Sequence, residues 1–305
     1  MAPQVSVVIP THNRLRMLHD AIDSVLAQTY RNFELIVVDD GSEDGTAEKI
    51  PARYGSALRV VVEARRGVAA ARNRGVNCSR GRYLAFLDSD DLWRPRKLEI
   101  QMSSMQSQAR WRICQTEEIW IRNGVRVNPK KKHRKPSGDI FRASLDLCLV
   151  SPSAALMTRE LFERMGGFDE SFPVCEDYDL WLRIAFDHPV YLIAEPLVIK
   201  RGGHADQLSR STWGFDRFRV RAIKKLLDSG IEGEKRSWAL ETLARKAAIL
   251  AQGARKRGRE GKALEYEALL TDFVGELKDD RSANPGLLPE QEFSPKDSGA
   301  MAGVE

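Results

Sequence analysis

The chain has 305 residues, 42% hydrophobic and 30% charged, with a formal net charge of +5, enough to build one large core plus an appendage. No apolar run approaches the roughly 20 residues that cross a bilayer, no basic-then-apolar secretory pattern opens the chain, and no internal repeat is present. The modest positive charge fits either solubility or an anionic membrane surface, and the scattered Cys78, Cys114, Cys148 and Cys175 lack metal-type spacing and are expected as reduced thiols in a cytosolic protein.

The run from Val5 to Ile9 predicts a buried strand stopped at Pro10, followed by the polar loop Thr11-His12-Asn13-Arg14. Leu15, Leu18, Ile22, Val25 and Leu26 then recur at helical spacing over residues 15–28. Phe33 to Val38 is a second strand, ending at Asp39-Asp40-Gly41-Ser42, and Asp44-Gly45-Thr46 opens another helix. Residues 60–62 form a third short strand, and 67–76 an alanine-rich helix carrying Arg72 and Asn73. A fourth strand, Tyr83 to Leu87, runs into Asp88-Ser89-Asp90-Asp91, with a helix starting near Pro95. This alternation predicts an α/β fold with a parallel sheet and crossover helices. Ligands bind such sheets beyond the carboxyl ends of the strands, where the polar clusters after Ile9, Val38 and Leu87 all fall.

Three acidic residues within four positions at the end of a buried strand repel one another. Mg²⁺ or Mn²⁺ would relieve that repulsion and complete its shell with substrate phosphates; a solvated acidic loop is the alternative. Together the three loops point to one site for nucleotide, phosphate and metal. Further on, Thr116 to Val127 reads as a hairpin turning at Asn123-Gly124. Its Glu117 and Glu118 are set either to pair across strands or to reach a ligand. The basic run Lys130 to Lys135 is either a solvated loop or a dock for phosphates. Ser151-Pro152-Ser153 is placed ahead of a helix, with no chemistry assigned. Glu176-Asp177 open a helix, where acids suit the first turn. Trp93 and Trp181 either frame a pocket or fill the core. Residues 215–228, 234–256 and 262–278 read as three helices, with Trp238, Leu243, Ala247 and Leu250 on one packed face. Residues 279–305 read as a disordered tail.

Seven segments, in order, resemble the family 2 glycosyltransferases of the GT-A fold. They are VSVVIPTHNR (5–14), AIDSVLAQTY (21–30), FELIVVDDGSEDGT (33–46), GVAAARNRGV (67–76), GRYLAFLDSDDLWRPRKLEIQ (81–101), GGFDE (166–170) and EDYDLWLR (176–183). No one segment decides the matter; the ordered set does. The resemblance implies a single Rossmann-like α/β/α sandwich with a mostly parallel central sheet. It implies a GT-A domain over 1–212, with 1–110 as the nucleotide-sugar half and 111–212 as the acceptor half. Residues 213–278 would be a helical appendage for docking, homodimerisation or acceptor positioning. The implied activity moves a sugar, with inversion, from a UDP, GDP or dTDP sugar to a hydroxyl of a glycan or lipid-linked acceptor. Mg²⁺ or Mn²⁺ would assist, in the cytoplasm or at the inner face of the membrane, and no nucleic acid would be involved.

The same resemblance assigns roles. Pro10, Thr11, His12, Arg14, Asp39 and Asp40 would hold base and ribose, with Asp40 accepting from uracil N3–H. Capping the next helix with Ser42 is the alternative for both acids. Arg72 corresponds to a nucleotide-contacting arginine, Asn73 to a local backbone tie, and Arg65 and Arg66 to solvated charge. Asp88 would contact ribose and Asp90 the metal. Asp91 would support the metal through water or cap a helix. His204, in GGHADQLS, would be a further metal or phosphate ligand or an ordinary surface residue. Asp177 would be the general base, with Glu176 orienting acceptor or base; helix capping is the competing role. Two other classes compete. A nucleotidyltransferase would want a Gly-rich basic phosphate loop near the first strand, which Pro10-Thr11-His12-Asn13 does not supply. A non-catalytic nucleotide-sugar binder would tolerate loss of Asp90 or Asp177, and both are present.

Overall fold

The computed structural model describes residues 2–108, 110–128, 130, 133–203 and 214–283. Strands β1 (Val5–Thr11), β2 (Phe33–Asp40), β3 (Arg59–Glu63) and β4 (Tyr83–Phe86) pair in parallel, in the spatial order β3-β2-β1-β4. β1 is buried at every residue, the continuous pattern of a strand covered on both faces. The crossovers are α1 (Leu15–Leu26), α2 (Thr46–Tyr54) and α3 (Val68–Asn77). α1 buries Leu18, Ala21, Ile22 and Val25, one face of the expected helix. α3 buries Ala69, Ala70, Ala71 and Gly75. A Cβ on Gly75 would lie 2.3 Å from Val8 Cγ1, so α3 rides directly on β1. The chain runs outward from β1 through β2 to β3, then returns to place β4 on the other side of β1. That reversal opens a crevice at the carboxyl ends of β1 and β4.

A short β5 (Leu92–Trp93) and α4 (Lys97–Ser107) follow. Then β6 (Ile113–Arg122), β7 (Val125–Val127), β8 (Ala155–Thr158) and β9 (Tyr191–Gly202) extend the sheet as β4-β8-β6-β9-β5, with β7 on β6. The β6–β7 turn is Asn123-Gly124, with φ of 51° and 77°, the left-handed pair a tight hairpin requires. Several expectations are corrected. Ser151-Pro152-Ser153 leads into β8, with only a short 3-10 turn between, and not into a helix. Of the two roles open to Trp93 and Trp181 the core one holds, at 4% and 2% exposure. Lys135 is not solvated: it is buried 3.0 Å from Glu118 and donates to the Thr116 carbonyl. β9 has no counterpart in the sequence reading. Its Pro196 sits where the register with β6 slips, the bulge position at which a sheet tolerates proline.

The remaining helices are α5 (Phe141–Ser144), α6 (Arg159–Arg164), α7 (Glu176–Asp187), α8 (Phe215–Asp228), α9 (Gly233–Arg255) and α10 (Glu260–Ala283). Ile223 and Leu226 of α8 and Leu240 and Leu243 of α9 join the same core as Phe86, Phe168 and Trp181. The C-terminal helices therefore share the core of the sheet domain. On α9, Leu243 and Ala247 are fully buried and Trp238 packs against the core. α10 continues to Ala283, so helix covers the first residues of the stretch expected to be disordered from 279. Among the described residues no helix is long and apolar enough to cross a membrane.

Candidate active site

A cleft of about 980 Å³ opens at the carboxyl ends of the strands. Pro10, Thr11, His12, Arg14, Asp40, Arg72, Asp88, Asp90, Glu176 and Asp177 all line it. Asp39 lies behind the wall. It is fully buried and its Oδ1 accepts the Ser42 backbone N–H at 2.9 Å, the loop-tying role that competed with nucleotide contact. His204 falls outside the described residues.

The first two loops are stitched together. His12 Nδ1 donates to the Asp40 carbonyl at 2.9 Å, since a carbonyl can only accept. The two carboxylate oxygens of Asp40 accept the backbone N–H groups of Arg66 and Gly67 at 2.7 and 2.9 Å. Asp40 thus fixes the loop that opens α3 while keeping lone pairs for a further donor. Arg65 and Arg66 sit at the rim of the cleft as exposed, solvated charges, and Arg66 pairs with Glu170 at 2.6 Å.

Asp88, Asp90 and Asp91 offer oxygen atoms within 4.8 Å of one another. Their surroundings differ. Asp91 is buried; its Oδ2 accepts the Ser153 hydroxyl at 2.7 Å and its Oδ1 accepts the Arg201 N–H at 3.0 Å. Burial, against the attraction of Lys200 and with repulsion from Asp90 and Asp88, pushes Asp91 up to about 7. It anchors the loop. Asp88 and Asp90 face the cleft. Arg14 Nη1 lies 2.7 Å from Asp90 Oδ2, joining the ends of β1 and β4 across the crevice. Arg72 Nη2 lies 2.7 Å from Asp88 Oδ1. Burial would raise the Asp88 pKa, but the Arg72 and Lys200 charges outweigh it and hold the carboxyl below its usual range. Clustered hard oxygens of this kind suit Mg²⁺ or Mn²⁺, so the residues fit the implied cation.

Arg72 lines the cleft, and its guanidinium also holds two protein carboxylates: Nη2 lies on Asp88, and Nη1 on Glu176 Oε1 at 2.6 Å. Burial would lower its pKa, but Asp88 and Glu176 outweigh this and raise it. Burial lifts Glu176 to about 7 against the pull of Arg72, with Asp177 repulsion adding to the rise. Asp177, one residue on, receives a thiol hydrogen bond from Cys148, Sγ to Oδ2, at 3.4 Å. Cys175 sits before the helix in the left-handed region at φ 64°, a strained conformation for a side-chain-bearing residue, and so turns the Glu176-Asp177 pair into the cleft.

Sequence reasoning passed over Ser153, Lys200, Arg201 and Cys148. Ser153 accepts the Asp88 N–H and donates to Asp91. Lys200 lines the cleft, with Nζ 3.1 Å from Ser151 Oγ and 3.6 Å from Asp91 Oδ2. Burial opposes its charge, but Asp91, Glu118, Asp88 and Asp90 outweigh that and raise its pKa. The signal for it was a Lys-Arg pair just before Gly202-Gly203-His204, hidden because β9 itself was not seen.

Residues 6–166 match the family described as glycosyl transferase family 2. An uncharacterized glycosyltransferase of Rickettsia prowazekii (strain Madrid E) is 33% identical over 208 residues, covering 63% of this chain and 63% of that one. The Escherichia coli UDP-Glc:alpha-D-GlcNAc-diphosphoundecaprenol beta-1,3-glucosyltransferase WfgD is 34% identical over 190 residues, covering 62% of this chain and 72% of that one. Among solved structures, S. aureus TarS 1–349 in complex with UDP-GlcNAc aligns with a TM-score of 0.65 at 18% identity, over 91% of this chain and 81% of that one. That likeness carries the fold, a GT-A-type α/β sheet with helices following it. The match over more than half of the chain, including the Asp40 and Asp88–Asp91 loops of the cleft, makes this protein a member of glycosyl transferase family 2.

Proposed function

We propose that this chain transfers a sugar, with inversion, from a nucleoside-diphosphate sugar to a hydroxyl of a lipid-linked or other glycan acceptor of the cell envelope. The observation that carries the reading is one cleft lined by both the Asp88–Asp90 loop and the Glu176-Asp177 pair. The two relatives support it by name: one is called a glycosyltransferase, the other a glucosyltransferase acting on a diphosphoundecaprenol-linked sugar. UDP, GDP and dTDP sugars are the donor classes considered, and work at the cytoplasmic face of a membrane fits such an acceptor.

Each residue has a task. Pro10, Thr11, His12 and Asp40 form the wall for base and ribose. Asp88 takes the ribose side and Asp90, with His204 as a further candidate, would hold Mg²⁺ or Mn²⁺. When bound, that cation supplies Lewis-acid neutralisation of the departing diphosphate. Arg14 and Lys200 add positive charge to the same wall. Asp177 accepts the proton of the attacking hydroxyl, and a single displacement inverts the anomeric carbon. Glu176, held by Arg72 at 2.6 Å, positions the base.

The test is Asp177→Asn with donor and acceptor. Transfer should fall about 10²–10⁴-fold in kcat, the usual share of a general base, with donor affinity kept. Product NMR should show an inverted linkage. Undiminished transfer, or a retained anomeric configuration, would remove Asp177 from this role.

A further inference from the structure

The cleft differs in chemistry from one side to the other. Asp40, Arg72, Asp88 and Asp90 bring charge to the donor side, while Phe172, Pro173 and Val174 bring apolar surface just ahead of Glu176-Asp177. A second phenylalanine, Phe215, lines the cleft from the first position of α8. Phe172 is 1% exposed and has almost no surface left to offer. Phe215 is half-buried: part of it packs on the core and the rest stays open to the cleft.

Side chains of α8 fasten it to the elements that carry the proposed base. Arg219, one turn on from Phe215 and so on the same face of the helix, lies over the ring of Tyr178, 5.9 Å from its centroid. Its charge reaches Cys175 and also Cys148, the thiol that donates to Asp177. Arg221 donates to Ser171 Oγ at 2.6 Å and to the Ser171 carbonyl at 3.1 Å, with its guanidinium 4.4 Å from the centroid of Phe172. Lys225 bridges Asp169 and Asp179 at 2.7 and 3.1 Å. α8 is therefore pinned both to the loop before Asp177 and to the helix that Asp177 begins. An aromatic ring held on such a helix needs little further ordering when a ligand covers it.

We infer that Phe215 binds the acceptor, the C–H face of the acceptor's sugar ring lying on its phenyl ring. The inference rests on the transfer proposed above, in which the attacking hydroxyl must reach Asp177. The C–H groups of a sugar ring suit the negative face of an aromatic ring, and the hydroxyls at the sugar's edge stay free for polar partners. Of docking, homodimerisation and acceptor positioning, the roles open to residues 213–278, this selects the last.

The experiment is saturation-transfer NMR of methyl glucoside, methyl galactoside and methyl N-acetylglucosaminide with the full chain, in the presence of Mn²⁺-free UDP or GDP. The ring protons of at least one glycoside should receive saturation from the protein. Phe215→Leu keeps apolar bulk for the core and loses the flat face. It should weaken that binding about 3–10-fold, the worth of an aromatic face contact, with melting temperature and nucleotide affinity kept. Phe215→Tyr should bind as the unmodified chain does. Phe218→Leu, on the same helix but outside the cleft lining, should change little. No glycoside signal from the unmodified chain, full binding by Phe215→Leu, or equal loss in Phe218→Leu would overturn the inference. So would a parallel loss of nucleotide affinity, since the ring would then serve the donor. Release of nucleoside diphosphate from a nucleotide sugar scores the transfer separately. Glycoside binding through Phe215 without any release would count against the transfer and not against the sugar-binding ring.

Discussion

Arg72→Met is the sharpest probe of how this site is held together. The wild-type guanidinium side chain is 4% exposed, with one nitrogen 2.6 Å from Glu176 and another 2.7 Å from Asp88. Methionine keeps much of the volume and removes the charge. Glu176, whose side chain is 8% exposed, then has no cation beside it. Breaking one side of a buried ion pair costs about 3–5 kcal/mol, because the survivor's charge is stranded. Asp88 adds less, since at 26% exposure water reaches it.

The penalty should depend on pH, with a fixed sign. Glu176 is already raised to about 7 with Arg72 in place, and loss of Arg72 raises it further. A carboxyl whose folded pKa exceeds its unfolded value of about 4.3 subtracts nothing below that value and progressively more as pH rises to the folded pKa. Arg72→Met should therefore cost least near pH 5 and reach about 3–5 kcal/mol above pH 8. Adding Glu176→Gln should recover most of the loss. Urea unfolding at pH 5.5 and pH 8, followed by circular dichroism, measures all three proteins. A loss under about 1 kcal/mol at pH 8, or equal losses at both pH values, would refute the reasoning.

Other changes test separate parts. Gly75→Ala should destabilise by about 1–3 kcal/mol in denaturant, since its methyl would press on Val8 Cγ1 from 2.3 Å; a neutral result would mean α3 can lift from β1 at no cost. Asp90→Ala should leave nucleoside-diphosphate affinity the same with and without Mn²⁺ by calorimetry, while the unmodified chain binds more tightly with metal; no metal effect in the unmodified chain would count against a cation at this loop. Cys148→Ala deletes the thiol donor to Asp177 Oδ2 and should lower kcat about 2–10-fold, the worth of one hydrogen bond from a weak thiol donor, at unchanged donor KM; a change confined to donor KM would place Cys148 elsewhere in the mechanism.

The parts of the fold that could be read ahead were those with local signals. β1, β2 and β4 are buried parallel strands, and apolar runs broken only by Ser6 and Glu34 announce them. The Asn123-Gly124 hairpin announces itself by turn chemistry. β9 does not: Glu195, Pro196, Lys200 and Arg201 interrupt its apolar residues, and the bulge that accommodates Pro196 exists only against β6. Lys135 likewise reads as part of a basic run until Glu118 is placed beside it. The acids of the site were legible, being clustered, while Lys200 and Arg201, carried on the unseen β9, were not. Arg72 and Glu176 are 104 positions apart, and no local pattern encodes a pairing at that separation. Arg72 in its alanine-rich helix carries no local sign of the two protein carboxylates it holds at the cleft.

That hold bears on how the two halves of the site act together. Buried ion pairs are poor sources of stability, and well-packed apolar groups of similar size often do as well or better. Their value here is directional. Arg14 ties the end of β1 to Asp90, the Arg201 backbone ties β9 to Asp91, and Arg72 ties α3 to both Asp88 and Glu176. Apolar packing could hold these elements close without fixing where a carboxylate oxygen points; a guanidinium fork fixes it. Arg72 touches the acidic loop with one nitrogen and the residue before Asp177 with another. A ligand that draws charge from Asp88 must loosen or tighten the hold on Glu176 through the same planar group. The donor side and the proposed base are thus joined by one side chain, and Arg72→Lys, which keeps the charge but not the fork, should uncouple them while leaving each in place.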